Sequence, residues 1–206
     1  REWQEKQEQA NRKLEEDTRS FHKEQSRLES MINIAERYDG YGSSIRRVME
    51  QRDRTPGLLG VVADLIQVDK QYEVAIETAL GGSIQNIVTK DEETAKGMIA
   101  YLKQNRFGRA TFLPLTSVGK RPAQVNQQAL REPGVIGIGS ALVKTEHQYE
   151  GLSSYLLGRT YVVDNIDHGV ALARKYQYSL RIVTLEGESL NPGGSMTGGA
   201  FKNASN

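Results

Sequence analysis

A glycine-rich segment near the end of the sequence is the clearest place for chemistry. Glycine costs backbone entropy in or beside a strand and contributes no side chain, so two glycine pairs indicate that something approaches the backbone closely. That partner is a phosphate, a small ligand or another protein chain. The segment consists of Gly193, Gly194, Ser195, Met196, Thr197, Gly198 and Gly199.

The glycine motifs fit poorly to the known phosphate-binding loops. Gly137 and Gly139 begin a dinucleotide fingerprint, but Leu142 stands where that fingerprint requires Gly or Ala. The Gly198-Gly199 pair is followed by only seven residues. Seven residues are too few for a helix whose N-terminal dipole would hold a phosphate. A phosphate is therefore the weakest of the three partners.

The titratable and nucleophilic side chains show no catalytic pattern. His22, His147 and His168 lie far apart, and none stands at a spacing that fixes a metal site. The acidic run at residues 91–93 is typical of a helix start rather than of a carboxylate pair. The chain has no cysteine, which excludes disulfides, thiolate ligands and cysteine nucleophiles. We therefore expect no enzymatic activity, no cofactor and no metal in this chain.

A basic stretch is the second candidate site. Residues 94–131 contain seven basic side chains and no acidic one, with aromatic residues between them. Such a stretch could neutralise phosphates of a nucleic acid. It could equally be the solvated face of a helix, and the sequence leaves both interpretations open.

The first 38 residues differ in composition from the rest, because they contain no Gly and no Pro and are rich in charged residues and Gln. Apolar residues recur there at spacings of three and four, which favours a coiled coil. A helix of this length extends roughly 57 Å at 1.5 Å per residue, too far for a small globule to cover. It therefore needs a partner helix, although an amphipathic helix packed on its own domain is the alternative. The apolar seam contains Trp3, Ala10, Leu14, Phe21, Leu28, Met31, Ala35 and Tyr38.

The remainder alternates strand and helix patterns in two similar halves. We predict a buried strand at Val61–Val68 and align Leu80-Gly81 with Leu157-Gly158. The same alignment places Arg109 opposite Arg181, each at the start of a strand. This pattern predicts an imperfect internal duplication and two α/β subdomains.

Charge and hydropathy exclude several classes of protein. Lys and Arg number 27 against 26 Asp and Glu, so no overall charge demands a nucleic acid or an anionic membrane. No apolar run approaches the roughly 20 residues of a membrane span, and the N-terminus is not a signal peptide. The chain begins with Arg1 rather than Met, so we expect it to be a piece of a longer protein.

Taken in order, five motifs resemble the hinge of bacterial SMC (structural maintenance of chromosomes) proteins with its adjoining coiled-coil arm. The resemblance covers about residues 38–200, and the ordered set is specific. The motifs are Tyr-Asp-Gly-Tyr-Gly at 38–42, Gly-Leu-Leu-Gly at 57–60, Tyr72 to Gly82, Gly-Arg-Ala-Thr-Phe-Leu-Pro-Leu at 108–115, and the glycine segment at 193–199.

The resemblance implies a mixed α/β (α+β) hinge fold of two similar subdomains after a long coiled-coil helix. It also implies a homodimer in which two hinges join head to tail through exposed sheet edges, with residues 193–199 at the contact. The expected divisions are 1–38 for the arm segment, 39–128 for subdomain I with its linker, 129–200 for subdomain II, and 201–206 for the start of a return arm.

The family further implies weak, sequence-independent DNA binding near the hinge. ATPase activity and kleisin partners are expected only at a head domain outside this chain, and the location is expected to be the cytoplasm, at the nucleoid. A phosphate- or small-ligand-binding α/β domain fused to a coiled coil is the alternative function. The residues expected to contact DNA are Arg46, Arg47, Arg106, Lys120, Arg121 and Lys202.

Overall fold

A computed structural model describes residues 1–37 and 41–200, and its mixture of helices and strands confirms the predicted fold class. The helices are α1 (Glu2–Arg37), α2 (Ser43–Met49), α3 (Val62–Leu65), α4 (Glu73–Leu80), α5 (Glu92–Asn105), α6 (Gln127–Leu130), α7 (Glu150–Leu157) and α8 (Ile166–Lys175). The strands are β1 (Leu58–Val61), β2 (Gln67–Val68), β3 (Ile87–Thr89), β4 (Phe112–Pro114), β5 (Val135–Ile138), β6 (Val143–Lys144), β7 (Thr160–Val163), β8 (Arg181–Thr184), β9 (Ser189–Leu190) and β10 (Met196–Thr197). Short 3-10 turns lie at Arg52–Arg54, Lys70–Tyr72, Gly81–Gln85, Gly139–Leu142 and His147–Tyr149.

The first helix is long and its apolar seam is open. It runs for 36 residues, and the seam residues Trp3, Leu14 and Phe21 are 74%, 66% and 64% exposed. Every residue from 1 to 25 is exposed, so this part of the helix does not pack on the described globular part. An ordinary amphipathic helix would bury that face. The seam residues Leu28, Met31, Ala35 and Tyr38 lie outside the described side chains.

Two larger sheets and a two-stranded β2-β6 ladder lie in the described globular part. The first has the strand order β1-β3-β4, with β1 antiparallel and β4 parallel to β3. The second has the order β10-β9-β8-β7-β5, with β7 and β8 parallel and the other neighbours antiparallel. In each sheet a helix (α5 or α8) connects the two parallel strands, as a βαβ unit requires.

Each half contributes one helix to the sheet of the other half. Ala75 of α4 packs in a buried cluster with Val162 and Val183 of the second sheet. Conversely, Leu152 and Leu157 of α7 are buried with β3 and β4 of the first sheet. The remaining faces are covered by α2 and α5 on the first sheet and by α6 and α8 on the second. The two sheets are therefore held together through the exchanged helices.

A local twofold axis relates the two halves and passes through the short β2–β6 ladder. The exchanged helices begin at residues 73 and 150 and end at 80 and 157, so they lie 77 positions apart. Gln67 pairs with Lys144, which is also 77 positions away. Gln67 thus pairs with its own counterpart, and Val68 pairs with Val143, 75 positions away, as antiparallel strands about a local twofold axis require. This supports the predicted internal duplication.

The predicted correspondence of Arg109 with Arg181 is wrong by two residues. Leu115 N–H donates to Thr89 O at 2.9 Å, and Leu185 N–H donates to Val163 O at 3.1 Å. These bonds place Leu115 opposite Leu185, so the counterpart of Arg181 is residue 111. The sequence alignment missed this because α5 has 14 residues and α8 only 10.

The strand predicted at Val61–Val68 is also wrong as a single element. The segment leaves β1, makes one turn of helix at Val62–Leu65 and then enters β2. A short apolar run fits a buried strand and a buried helical turn equally well, so periodicity could not separate them. Val62 is fully buried against α7, which explains the apolar character of the turn.

The chain between the two sheets crosses over α7 in close backbone contact. Gly119 has φ +76°, and a Cβ at this position would overlap the carbonyl oxygen of Gly151. Val118 packs into the same cluster as Leu152. This crossing fixes residues 115–121 against the N-terminal end of α7.

We expect Gly119→Ala to lower the free energy of unfolding by at least about 2 kcal/mol, because overpacking against backbone cannot relax easily. Gly82→Ala is the matched control, since no atom lies within 4 Å of the position that its Cβ would occupy. That control should change stability by less than about 0.5 kcal/mol. Urea unfolding at one protein concentration compares the two, and equal values would contradict the close crossing.

Candidate functional site

The glycine segment forms the outermost strand of the second sheet. Met196 and Thr197 pair antiparallel with Leu190 and Ser189. The connecting hairpin closes where Asn191 N–H donates to Ser195 O at 2.8 Å. Within the described residues, β10 has a strand neighbour on one side alone.

Three of the four glycines are required by the chain's own backbone. Gly193, Gly194 and Gly199 have φ of +94°, +107° and +130°, a region that side chains disfavour. Gly198 has no such φ, and a Cβ there would lie 3.0 Å from Glu188 Cγ. No atom lies within 4 Å of a Cβ placed at Gly193 or Gly199. The segment therefore has backbone angles that favour glycine, and its outer side is open.

A phosphate cradle needs free backbone N–H groups, and two of the glycine N–H groups are already used. Gly193 N–H donates to Tyr178 O at 2.8 Å, and Gly194 N–H donates to Asn191 O at 3.0 Å. The neighbouring cleft, about 300 Å³ in volume, is mostly apolar and includes Tyr178, Leu190 and Met196. Its one charged side chain is Arg174. These features disfavour the phosphate interpretation of the segment.

The outer edge of β10 presents unused backbone groups. Because Asn191 and Ser195 form a hydrogen-bonded pair, antiparallel alternation turns the N–H and C=O of Met196 away from β9. Met196 is 56% exposed. An exposed strand edge of this kind is a template for another strand.

The first sheet has a second open edge at β4. Ile87 N–H donates to Thr111 O and Leu115 N–H donates to Thr89 O, so the odd-numbered residues of this segment face β3. The N–H and C=O of Phe112 consequently point away from the sheet. Among the strands of residues 41–200, β4 pairs with β3 only. Sequence reasoning did not identify this edge, since β4 carries no glycine signal.

The structure brings three of the predicted DNA-binding residues together beside the end of the coil. Arg46 and Arg47 lie on α2, and the Arg47 guanidinium stacks 4.7 Å from the centre of the Phe107 ring. Arg106 ends α5 in a left-handed conformation next to that ring. The backbone of Arg109 also lies beside α2, because its carbonyl accepts a hydrogen bond of 2.7 Å from Ser44 Oγ.

The other predicted DNA-binding residues lie elsewhere. Lys120 and Arg121 follow Gly119, which contacts α7 on the opposite face of the first sheet from α2. Lys202 lies outside the described residues. The basic residues of the predicted set therefore form one cluster near the coil and a separate exposed pair.

The shifted acidic groups have structural roles at helix starts. Asp91 caps α5, and hydrogen bonds from the Thr94 side chain and N–H hold its pKa below its usual 3.8. Asp164 lies 2.7 Å from His168 Nδ1, and this bond lowers the pKa of Asp164. Sequence reasoning missed the Asp164–His168 pair although the four-residue spacing shows it. No cluster of three or more metal-ligating side chains occurs in the part of the chain that the structure describes.

No helix within residues 1–37 and 41–200 is long and apolar enough to cross a membrane.

The chain is similar to known proteins over most of its length. The family model for the flexible hinge domain of SMC proteins matches residues 55–173.

Two curated relatives named chromosome partition protein Smc are similar to this chain. The protein of Lactiplantibacillus plantarum is 40% identical over 186 residues, which cover 89% of this chain and 16% of that protein. The protein of Bacillus subtilis is 42% identical over 171 residues, which cover 82% of this chain and 14% of that protein. The chain therefore spans about one sixth of the length of these relatives.

Two solved hinge structures match the fold. The asymmetric dimer of the Geobacillus stearothermophilus SMC hinge domain has a TM-score of 0.76 and 36% identity, and the match covers 90% of this chain and 77% of that one. The Pyrococcus furiosus SMC hinge domain has a TM-score of 0.66 and 31% identity, and the match covers 85% and 90% of the two chains. The predicted hinge fold is confirmed by these matches.

The backbone geometry of the glycine segment predicts unequal effects of alanine. We expect Gly193→Ala to lower the free energy of unfolding by about 1–2 kcal/mol, because an L side chain disfavours its φ. Gly198→Ala should cost less than about 1 kcal/mol, because only the Glu188 side chain, which accepts a hydrogen bond from Thr184 Oγ1, must shift slightly. Urea unfolding of both variants tests this, and equal losses would show that the positive φ is not needed.

Proposed function

Because this chain belongs to the SMC hinge family, as its sequence motifs predicted, we propose that it joins two copies of itself into a homodimer. The joined proteins would be longer SMC proteins that act in chromosome partition, as the names of the similar proteins indicate. The dimeric G. stearothermophilus hinge supports this proposal. ATP hydrolysis and kleisin binding are proposed for the head domain of the longer protein, and not for this chain.

The observation that carries the proposal is that each of the two main sheets ends in an open strand edge, at β4 and at β10, besides the edges at β1 and β5. Within the described residues, the β4 edge exposes the backbone groups of Phe112, and the β10 edge exposes those of Met196. Proteins usually protect such edges by charge, proline or cover. Residues 193–199 carry no charged side chain and leave space for a second backbone.

Two different edges on one chain allow a closed assembly. If β4 of one copy meets β10 of the other, a twofold axis generates the same contact a second time. Each dimer then has two equivalent seams, which use the β4 edge and the β10 edge of each copy. We therefore propose Gly193–Gly199 as one half of each seam.

The proposed divisions of the chain agree with the position of the sheets. All strands of the first sheet lie within 39–128, and all strands of the second lie within 129–200. The exposed seam of α1 supports an arm over residues 1–38 that pairs with another helix. We propose that residues 201–206 begin the returning arm.

We further propose weak, sequence-independent DNA binding at the cluster of Arg46, Arg47, Arg106 and Arg109 beside the coil. The Arg47 side chain is 50% exposed while its guanidinium stacks on the Phe107 ring, so its charge is open to a phosphate. The cluster joins residues from α2 and from the end of α5, so the fold, rather than sequence proximity, concentrates the charge.

Gly198→Lys should abolish dimerisation while the chain stays folded. Its backbone φ accepts a side chain, whereas a lysine side chain in the proposed seam would occupy the space that the second backbone needs. We expect the dimer dissociation constant to rise at least about 100-fold, roughly 2.7 kcal/mol. Sedimentation equilibrium measures the change.

Gly97→Lys is the matched control for that experiment. Gly97 lies on the exposed side of α5, and no atom lies within 4 Å of a Cβ built there. This variant should remain dimeric. A dimeric Gly198→Lys protein would rule out the glycine segment as part of the interface.

Arg106→Gln/Arg109→Gln should weaken binding of a fluorescent single-stranded oligonucleotide about tenfold at low salt, because interactions with phosphates dominate such affinity. The slope of log K against log salt should fall by about one for each arginine–phosphate interaction that is removed. Lys120→Gln/Arg121→Gln removes the same charge from the separate pair and should change affinity less than about twofold. Equal losses in both double variants would indicate a response to net charge alone.

A further inference from the structure

The segment between α8 and β8 has an unusual backbone and contacts the tip of the β9–β10 hairpin. We infer that Tyr178 is a positioning residue for this hairpin, because its left-handed backbone presents its carbonyl to Gly193 N–H while its ring lies against Gly194. These two contacts are called the Tyr178 latch below. Its consequence for assembly rests on the proposed dimerisation, whereas the contacts themselves lie within one chain.

Two successive residues in this segment have positive φ. The angles are +60° at Gln177 and +56° at Tyr178. Such angles are uncommon for residues other than glycine and unfavourable for a bulky side chain. In the described part of the chain, Arg106 is the one further non-glycine residue with a positive φ. A residue held in such a conformation indicates that contacts around it keep it there.

The end of α5 shows which of the two angles needs a further explanation. Phe107 N–H and Tyr178 N–H each donate to the carbonyl five residues earlier, at 3.0 and 2.8 Å. The residue before each of them, Arg106 or Gln177, is left-handed, as this kind of helix end requires. Phe107, however, has no positive φ. The helix end therefore accounts for the angle at Gln177 but not for the angle at Tyr178.

The angle at Tyr178 accompanies a hydrogen bond that only the second half makes. Tyr178 O accepts from Gly193 N–H at 2.8 Å. Among the described residues, the first sheet ends at β4 and has no counterpart of β9 and β10. The additional left-handed residue and the additional hairpin thus occur together. We attribute the angle to the bond that holds the hairpin.

The hairpin tip has few other attachments to the rest of the chain. Residues 192–200 are all exposed. Within the described residues, their other backbone hydrogen bonds stay inside the hairpin, as in the bonds from Asn191 N–H to Ser195 O and from Gly194 N–H to Asn191 O. A cleft of about 300 Å³ separates the tip from Ala173 of α8. The Tyr178 latch is therefore the main restraint on the position of the tip.

The tyrosine side chain contributes as well as the backbone. A glycine at position 178 would adopt the positive φ without strain, so the conformation alone does not explain a tyrosine there. A Cβ at Gly194 would lie 3.7 Å from Tyr178 Cδ1, which places the ring against the backbone of the tip. The ring also lines the cleft together with Leu190 and Met196. It fills space that the hairpin would otherwise leave open.

Tyr178→Asn and Tyr178→Val test the carbonyl contact with side chains of similar size. Asparagine tolerates a positive φ, whereas a β-branched valine strongly disfavours it. NMR should show the Gly193 amide hydrogen exchanging at least about tenfold faster in Tyr178→Val and at most about threefold faster in Tyr178→Asn. Apolar packing alone would give the reverse order, because valine is the more apolar residue. That reverse order would overturn the latch.

Tyr178→Phe is the matched control, because it keeps both the ring and the backbone. Exchange at Gly193 should change less than about twofold in this variant. Amides of β7 and β8 should exchange as in the unsubstituted chain in every variant, which shows that the fold is intact. A rise of equal size at Gly193 and in these strands would indicate global destabilisation and would count against the latch.

Sedimentation equilibrium tests the consequence for assembly. We expect the dimer dissociation constant to rise about tenfold in Tyr178→Val and less than about twofold in Tyr178→Phe, because a displaced tip moves the β10 edge. Faster Gly193 exchange with unchanged dimerisation would overturn the role of the latch in assembly. A monomeric unsubstituted chain would overturn the proposed function, and Gly193 exchange would still decide the latch.

Discussion

The exchange of α4 and α7 between the two sheets is the packing on which the rest of the structure depends. Ala75 fits against Val162 and Val183 of the second sheet, and α7 covers the first sheet in the same way through Leu152 and Leu157. Each sheet buries part of its inner face against the helix of the other half, although α4 also contacts the first sheet through Ile76 and Leu80. The β4 and β10 edges are therefore carried by one packed unit, and their relative position is set by buried contacts rather than by a linker.

The sequence indicated the fold class, the duplication and the glycine segment because each has a local signature. Glycine pairs, helix-capping residues and alternating elements all act over a few neighbouring positions. The turn at Val62–Leu65 and the offset of Arg109 could not be predicted because tertiary packing decides both: Val62 is apolar to fill a core position, and α5 is longer than its counterpart. The β4 edge likewise has no local signal, because the fold decides whether a strand pairs on one side or on both. Among the described residues β4 pairs with β3 alone.

A conformational role and the proposed interface role are compatible in the glycine segment. Gly193, Gly194 and Gly199 have backbone angles that favour glycine for the hairpin alone. Gly198 has an ordinary φ, but a Cβ there would lie 3.0 Å from Glu188 Cγ. All four glycines therefore have a reason within their own chain, and the proposed interface adds a second reason rather than replacing the first.

The β9–β10 hairpin is the main departure from the internal duplication, and its even number of strands matters for assembly. If only one strand followed β8, the outer strand of the second sheet would run antiparallel to β8. A seam between that strand and β4 of a second copy, with the helices of both sheets on one face, would then be parallel. The hairpin restores the original direction, so the same joining makes the seam antiparallel. Antiparallel residues exchange both of their hydrogen bonds with one partner, whereas parallel bonds are slanted and slightly weaker per residue. For edges as short as β4 and β10, with three and two residues, that difference favours an extension by two strands rather than by one.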